Sequence, residues 1–90
     1  MRYIPENWTQ VFELRKIFGR DPERLEIDLG CGKGRFLLAR ANANPGTSFL
    51  GLDKLLLRIE KVARKTDKDG LENVRLVYVE AAYAVRYLLQ

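Results

Sequence analysis

The stretch Leu25-Glu26-Ile27-Asp28-Leu29-Gly30-Cys31-Gly32-Lys33-Gly34-Arg35-Phe36 constrains this chain more than any other. Its first five residues alternate Leu25, Ile27 and Leu29 with the acids Glu26 and Asp28, the period of a strand. Glycines follow at 30, 32 and 34, and a helical pattern then runs from about Gly34 to Ala43. Glycines between a strand and a helix let a ligand approach the backbone without meeting a β-carbon. The helix N-terminus behind them offers free N–H groups to a carboxylate or phosphate. The competing reading is a tight turn whose glycines merely allow close packing.

The rest of the chain alternates around this unit. Pro5 to Phe18 reads as a helix with Trp8, Val11, Phe12, Leu14, Ile17 and Phe18 on one face, stopped by Gly19. Arg20-Asp21-Pro22-Glu23 is a turn. Phe49 to Leu52 is a second strand, ending at Asp53, after the break Asn44-Pro45-Gly46. Lys54 to Asp69 is the longest helix, capped by Gly70, then Val74 to Val79 a third strand and Ala81 to Leu89 a last helix. Strands joined by helices must run parallel with right-handed crossovers. The fold class is therefore α/β, a Rossmann-like doubly wound sheet with flanking helices. One domain fills residues 1–90: a lead-in over 1–20 and a βαβαβα core over 25–90.

Composition narrows the setting only slightly. Ninety residues make one small domain, and the single cysteine, Cys31, excludes a disulfide framework and suits a reducing, cytoplasmic compartment. No apolar run approaches the roughly 20 residues of a membrane span, and residues 1–6 lack the apolar core of a signal peptide. A net charge of +4 leans mildly toward polyanionic partners. With no histidine and one cysteine, no metal site is expected.

Asp53 ends the second strand about 20 residues beyond the last glycine, where a carboxylate can accept from both hydroxyls of a ribose. A dinucleotide fingerprint requires glycine or alanine three residues after its second glycine, and Arg35 stands there instead. The run D-x-G-x-G-x-G, from Asp28 to Gly34, is similar to the first motif of class I S-adenosylmethionine-dependent methyltransferases. Four stretches further resemble the bacterial tRNA (guanine-N7)-methyltransferases: Trp8 to Arg20, IDLGCGKGRFLL, FLGLD and GLENVRLVYVEAAYAV. The resemblance implies S-adenosylmethionine held by Asp28, Gly30, Gly32, Gly34 and Asp53, with Cys31 and Lys54 beside them and Glu80-Ala81 near the adenine. Taken alone, Glu80 reads equally as an acid at a helix N-terminus.

The same resemblance implies a tRNA partner and a sheet of about seven strands. Three are visible here, as the half-sheet 3-2-1, so the first strand is expected to be an open edge. Pairing through that edge, as a homodimer or with a missing C-terminal half, is the expected consequence. Residues that act on the guanine are expected beyond Gln90, and these ninety residues to be inactive alone. Two alternatives remain: a methyltransferase with a protein or small-molecule acceptor, and a non-catalytic nucleotide- or RNA-binding fragment.

Lys54, Arg58, Lys61, Lys65 and Lys68 recur at spacings of four, three, four and three, which gathers them on one helical face. Leu55, Ile59, Val62 and Ala63 are expected to pack on the sheet beside them. The stripe reads either as an RNA-phosphate surface or as a solvated face balanced by pairs such as Glu60–Arg64. Cys31 is explained by its small size, and Tyr78, Tyr83 and Tyr87 by packing.

Overall fold

A computed structural model of the chain describes residues 1–5, 14–80 and 83–89. The expected positions of Trp8, Val11, Phe12 and Ala81, and the side chain of Tyr87, lie outside what it describes. The elements are α1 (Leu14–Phe18), β1 (Leu25–Leu29), α2 (Arg35–Ala43), β2 (Ser48–Asp53), α3 (Leu56–Lys68) and β3 (Val74–Tyr78). A turn of π-helix, Ala84–Leu88, follows.

The three strands form one parallel sheet in the order β1-β2-β3. This is the expected half-sheet, with β2 in the middle and every one of its residues buried. Alternation along β2 divides the core. Phe49 packs with Leu37, Ala41, Ile59, Val62 and Leu76 under α2 and α3, whereas Leu50 and Leu52 meet Ile17, Phe18, Val77, Ala84 and Leu88 on the opposite face. Each fully buried aliphatic side chain contributes about 1.5–3 kcal/mol, so these two clusters supply most of the stability. Among the described residues nothing pairs with the outer edge of β1, where Ile27 and Leu29 are 41% and 47% exposed. The outer edge of β3 is different. There Tyr3 N–H donates to Leu76 O, and Leu76 N–H donates to Met1 O.

Two side chains, Asn73 just before β3 and Arg75 within it, lock the helices to the sheet. Asn73 Nδ2 gathers the carbonyls of Ala41, Asn44 and Thr47 at 3.0–3.1 Å, fixing the end of α2 to the start of β3. Arg75 donates to Ile17 O and Glu72 O, and its guanidinium lies 5.6 Å from the centre of the Phe18 ring. The stretch Asn73-Val74-Arg75-Leu76 is therefore a packing device.

Three expectations need correction. Leu55 precedes α3 and is 43% exposed, because the face toward the sheet is filled by Ile59, Val62, Ala63 and Thr66. The last helix is wound as π over Ala84–Leu88, with Leu89 N–H reaching back five residues to Ala84 O. Glu60 and Arg64, both described, form no ion pair, and Arg64 is exposed. No described helix is long and apolar enough to cross a membrane.

Candidate functional site

Parallel strands deliver their C-terminal ends to one rim, and the glycine loop folds over it. Gly30 and Cys31 both donate their N–H groups to Leu52 O, at 2.7 and 2.9 Å, which turns the chain back across the end of β2. Gly30, Gly32 and Gly34 have φ of +79°, +57° and +77°. A side chain in that region costs roughly 1–2 kcal/mol. The three differ in surroundings. A β-carbon on Gly34 would stand 2.8 Å from both methyls of Val62, whereas one on Gly30 or Gly32 would meet nothing within 4 Å. Gly34 is thus a packing glycine, and Gly30 and Gly32 leave open backbone.

Asp53 lies directly beneath this loop and is only 4% exposed. Its Oδ2 accepts from Gly32 N–H at 2.9 Å and its Oδ1 from Leu55 N–H at 2.8 Å. The Arg58 guanidinium stands 3.8 Å from Oδ2. Each carboxylate oxygen has a second lone pair, so two further hydroxyl donors can still be accepted. On the neighbouring strand, the Asp28 carboxylate has no hydrogen-bond partner among the described residues, although its backbone belongs to the β1–β2 ladder. Partial burial, and then the charge of Asp53, hold its carboxyl above the usual range. A cation placed between the two acids would relieve that repulsion.

The thiol of Cys31 lies in the same cluster. Burial, then the charges of Asp53 and Asp28, push it up to about 12, so it is a neutral packing group. Glu80 is placed at the adjacent strand end: Val79 N–H donates to Asp53 O at 2.9 Å. Its carboxylate accepts from Tyr83 N–H at 3.1 Å, capping the last helical turn. Lys54 is exposed beside Asp53. The structure thus brings Asp28, Gly30, Cys31, Gly32 and Asp53 together, with Glu80 and Lys54 at the margin.

This donor set fits an adenosyl amino acid. A half-buried, unpartnered carboxylate suits an ammonium group, a buried strand-end carboxylate suits ribose hydroxyls, and the open glycine backbone leaves room between them.

The basic stripe is exposed along α3 at Lys61, Lys65 and Lys68, and Arg58, itself half-exposed, also reaches toward Asp53. That contact was missed in the sequence, where the four-three spacing assigned Arg58 to the stripe. The usable signal was its place five residues after a strand-end acid. Phe36 was also passed over; it is 72% exposed at the start of α2, between the exposed Arg35 and the β1 edge. Tyr78 is partly exposed near the Arg2 guanidinium, and Tyr83 packs on the second core cluster.

Residues 22–90 match a family model described as "Putative methyltransferase". Among curated proteins, the chain is 33% identical to a tRNA (guanine-N(7)-)-methyltransferase of Aquifex aeolicus over 66 residues, 73% of this chain and 22% of that protein. It is 32% identical to the Thermotoga maritima protein of the same name over 85 residues, 94% of this chain and 25% of the relative. A Synechococcus sp. protein, also so named, is 31% identical over 84 residues, covering 93% of this chain and 33% of its own length. The chain therefore spans between about a fifth and a third of the length of these relatives.

Proposed function

The chain belongs to the methyltransferase family whose model spans residues 22–90, and from that premise we propose that it holds S-adenosylmethionine as the donor for methylation of guanine N7 in tRNA. The observation that carries this reading is the pair of carboxylates, Asp28 and Asp53, at adjacent parallel strand ends under the glycine loop. Asp28 receives the ammonium group of the donor, directly or through water. Asp53 accepts from the ribose hydroxyls. The backbone of Gly30, Gly32 and Gly34 lies along the methionine portion, with Cys31 and Lys54 flanking it. Glu80 and Ala81 adjoin the adenine.

When bound, the donor supplies a sulfonium methyl group: the N7 lone pair forms the new C–N bond as the C–S bond breaks, leaving S-adenosylhomocysteine. Such chemistry depends mainly on positioning two reactants in line. The residues of this chain provide the donor's half of that positioning. Guanine as acceptor and tRNA as partner rest on the names of the relatives, supported by the exposed Lys54, Lys61, Lys65 and Lys68. No described residue is assigned to the guanine, so binding rather than turnover is the appropriate test. The outer edge of β1 belongs to the same proposal, as the place where a further strand pairs, from a second copy or from a longer form of the chain.

Titration calorimetry with S-adenosylmethionine and with S-adenosylhomocysteine, with circular dichroism on the same sample, tests the reading. Saturable one-site binding is expected. A folded sample that binds neither adenosyl compound overturns it.

A further inference from the structure

We propose that the start of α2 is an RNA-contacting surface, on which Phe36 stacks against an unpaired base while Lys33 and Arg35 hold the neighbouring phosphates. The inference rests on the tRNA reading and deepens it, adding an aromatic contact that the lysine stripe of α3 lacks.

Phe36 is 72% exposed, whereas the other described phenylalanines, Phe18 and Phe49, are 8% and 2% exposed. One apolar side chain in solvent is ordinary, and by itself decides nothing. The setting of this ring is what points to a partner. Lys33 and Arg35 precede it, both exposed, and neither makes an ion pair among the described residues. The first turn of α2 carries no acid, and its N-cap, Gly34, supplies no side-chain bond. Free N–H groups and the positive end of the helix dipole add to the two cations.

The acids nearby do not cancel this charge. Glu26 and Asp28 line the same small cavity as Phe36. Glu26 is held by Arg40 at 2.6 Å, and Asp28 is the residue proposed to receive the donor's ammonium group. What remains is an exposed aromatic face beside unpaired cations. A single strand of RNA offers the matching pair of groups, a base that stacks and phosphates that are always charged.

The packing of the two helices joins this patch to the lysine stripe. Gly34 stands between Lys33 and Arg35, and a β-carbon on it would lie 2.8 Å from both methyls of Val62. The start of α2 therefore abuts the middle of α3, where Lys61 and Lys65 flank Val62 in sequence and are exposed. Packed helices lie roughly 8–10 Å apart, about three nucleotides of strand. One RNA can thus run from phosphate contacts on α3 to a stacking contact on α2, beside the glycine loop. A protein segment along the apolar β1 edge is the competing occupant, and the lysine and arginine beside the ring favour the polyanion.

The test measures binding of the full chain to an oligoadenylate of about ten nucleotides, and to unfractionated tRNA, by fluorescence anisotropy from about 50 to 200 mM salt. Phe36→Leu keeps apolar bulk but removes the ring, and is expected to lose about five- to tenfold in affinity with an unchanged salt slope. Phe36→Tyr keeps the wild-type affinity. Lys33→Ala and Arg35→Ala each flatten the slope by about 0.7. Circular dichroism on every variant checks the fold, which substitutions at three exposed positions should preserve. Wild-type RNA affinity in folded Phe36→Leu overturns the inference, and a change in its sedimentation in place of its RNA affinity assigns the ring to a protein contact instead. The tRNA reading survives that result if Lys61→Ala and Lys65→Ala still weaken binding. A folded wild type that binds neither RNA overturns both.

Discussion

The backbone N–H of Gly32 donates to the Asp53 carboxylate across 2.9 Å, so a glycine loop that follows β1 is closed onto the last residue of β2. One bond therefore couples the two sequence features that most suggest a ligand. Leu55 N–H engages the other oxygen at 2.8 Å, so Asp53 organises both the loop above it and the helix start beyond it.

Removing that carboxylate has two effects. Asp53→Ala leaves two N–H donors without their acceptor, and is expected to lower stability by about 1–3 kcal/mol. It also weakens S-adenosylhomocysteine binding by a similar amount, from lost ribose hydrogen bonds. Urea denaturation and calorimetry on the same variant read the two effects. Unchanged affinity in a folded variant would place Asp53 outside the ligand site.

Two of the loop glycines, Gly30 and Gly34, are expected to respond differently to alanine. Gly30→Ala meets open space and incurs only backbone strain, roughly 1–2 kcal/mol. Gly34→Ala incurs the same strain and drives a methyl to 2.8 Å from Val62. It is expected to be the more destabilising by about 1–3 kcal/mol. In the Val62→Ala background the gap between the two narrows, because the steric part is relieved and the strain is not. Denaturant midpoints of the four variants and wild type check the order.

Asp28 gives a stability dependence on pH whose sign is fixed. Its folded-state carboxyl titrates above the ordinary value, so its contribution is fully present below that value and is lost as pH rises through the folded one. Asp28→Asn removes this loss. The variant should be more stable than wild type near neutral pH, with the difference shrinking to nothing in acid. Its affinity for S-adenosylmethionine should nevertheless fall. A wild type that gains stability relative to Asp28→Asn between pH 4 and 7 would contradict the account.

The Cys31 thiol, held up at about 12 and buried, is expected to resist maleimide at pH 7.5 in the native chain and to react at once in urea. Since the loop carries this cysteine, S-adenosylhomocysteine should slow native labelling further. Rapid labelling of the folded chain would mean that the loop is not packed as described.

For the tRNA surface, Lys61→Ala, Lys65→Ala and Lys68→Ala should each weaken binding across RNA sequences and reduce the salt slope by about 0.7–0.9. Equal slopes for all three variants and wild type would assign the stripe to solvent.

Much of this arrangement was legible in the sequence for a definable reason. Strand period, helix period and glycine stops are local signals, and β1 falls on the residues expected, Leu25–Leu29, with α2 and α3 within two residues of theirs. The fold class follows because parallel order and crossover hand are imposed by physics, not by particular contacts. What was not legible depends on three-dimensional neighbours. Arg58 has the spacing of a surface residue, and only the packing of α3 against β2 turns it toward Asp53. Leu55 fits an apolar pattern yet stands outside it, because the helix begins one residue later. The lock made by Asn73 joins carbonyls 26 to 32 residues away, a distance no local pattern encodes.

The most direct test is an amide NMR titration of the folded chain with S-adenosylhomocysteine. Shifts are expected to concentrate at Gly30, Gly32, Gly34, Asp53 and Leu55, with smaller ones at Glu80, and none of that pattern with NAD. Saturating ligand that leaves the glycine loop unmoved, or shifts confined to the lysine face of α3, would contradict it.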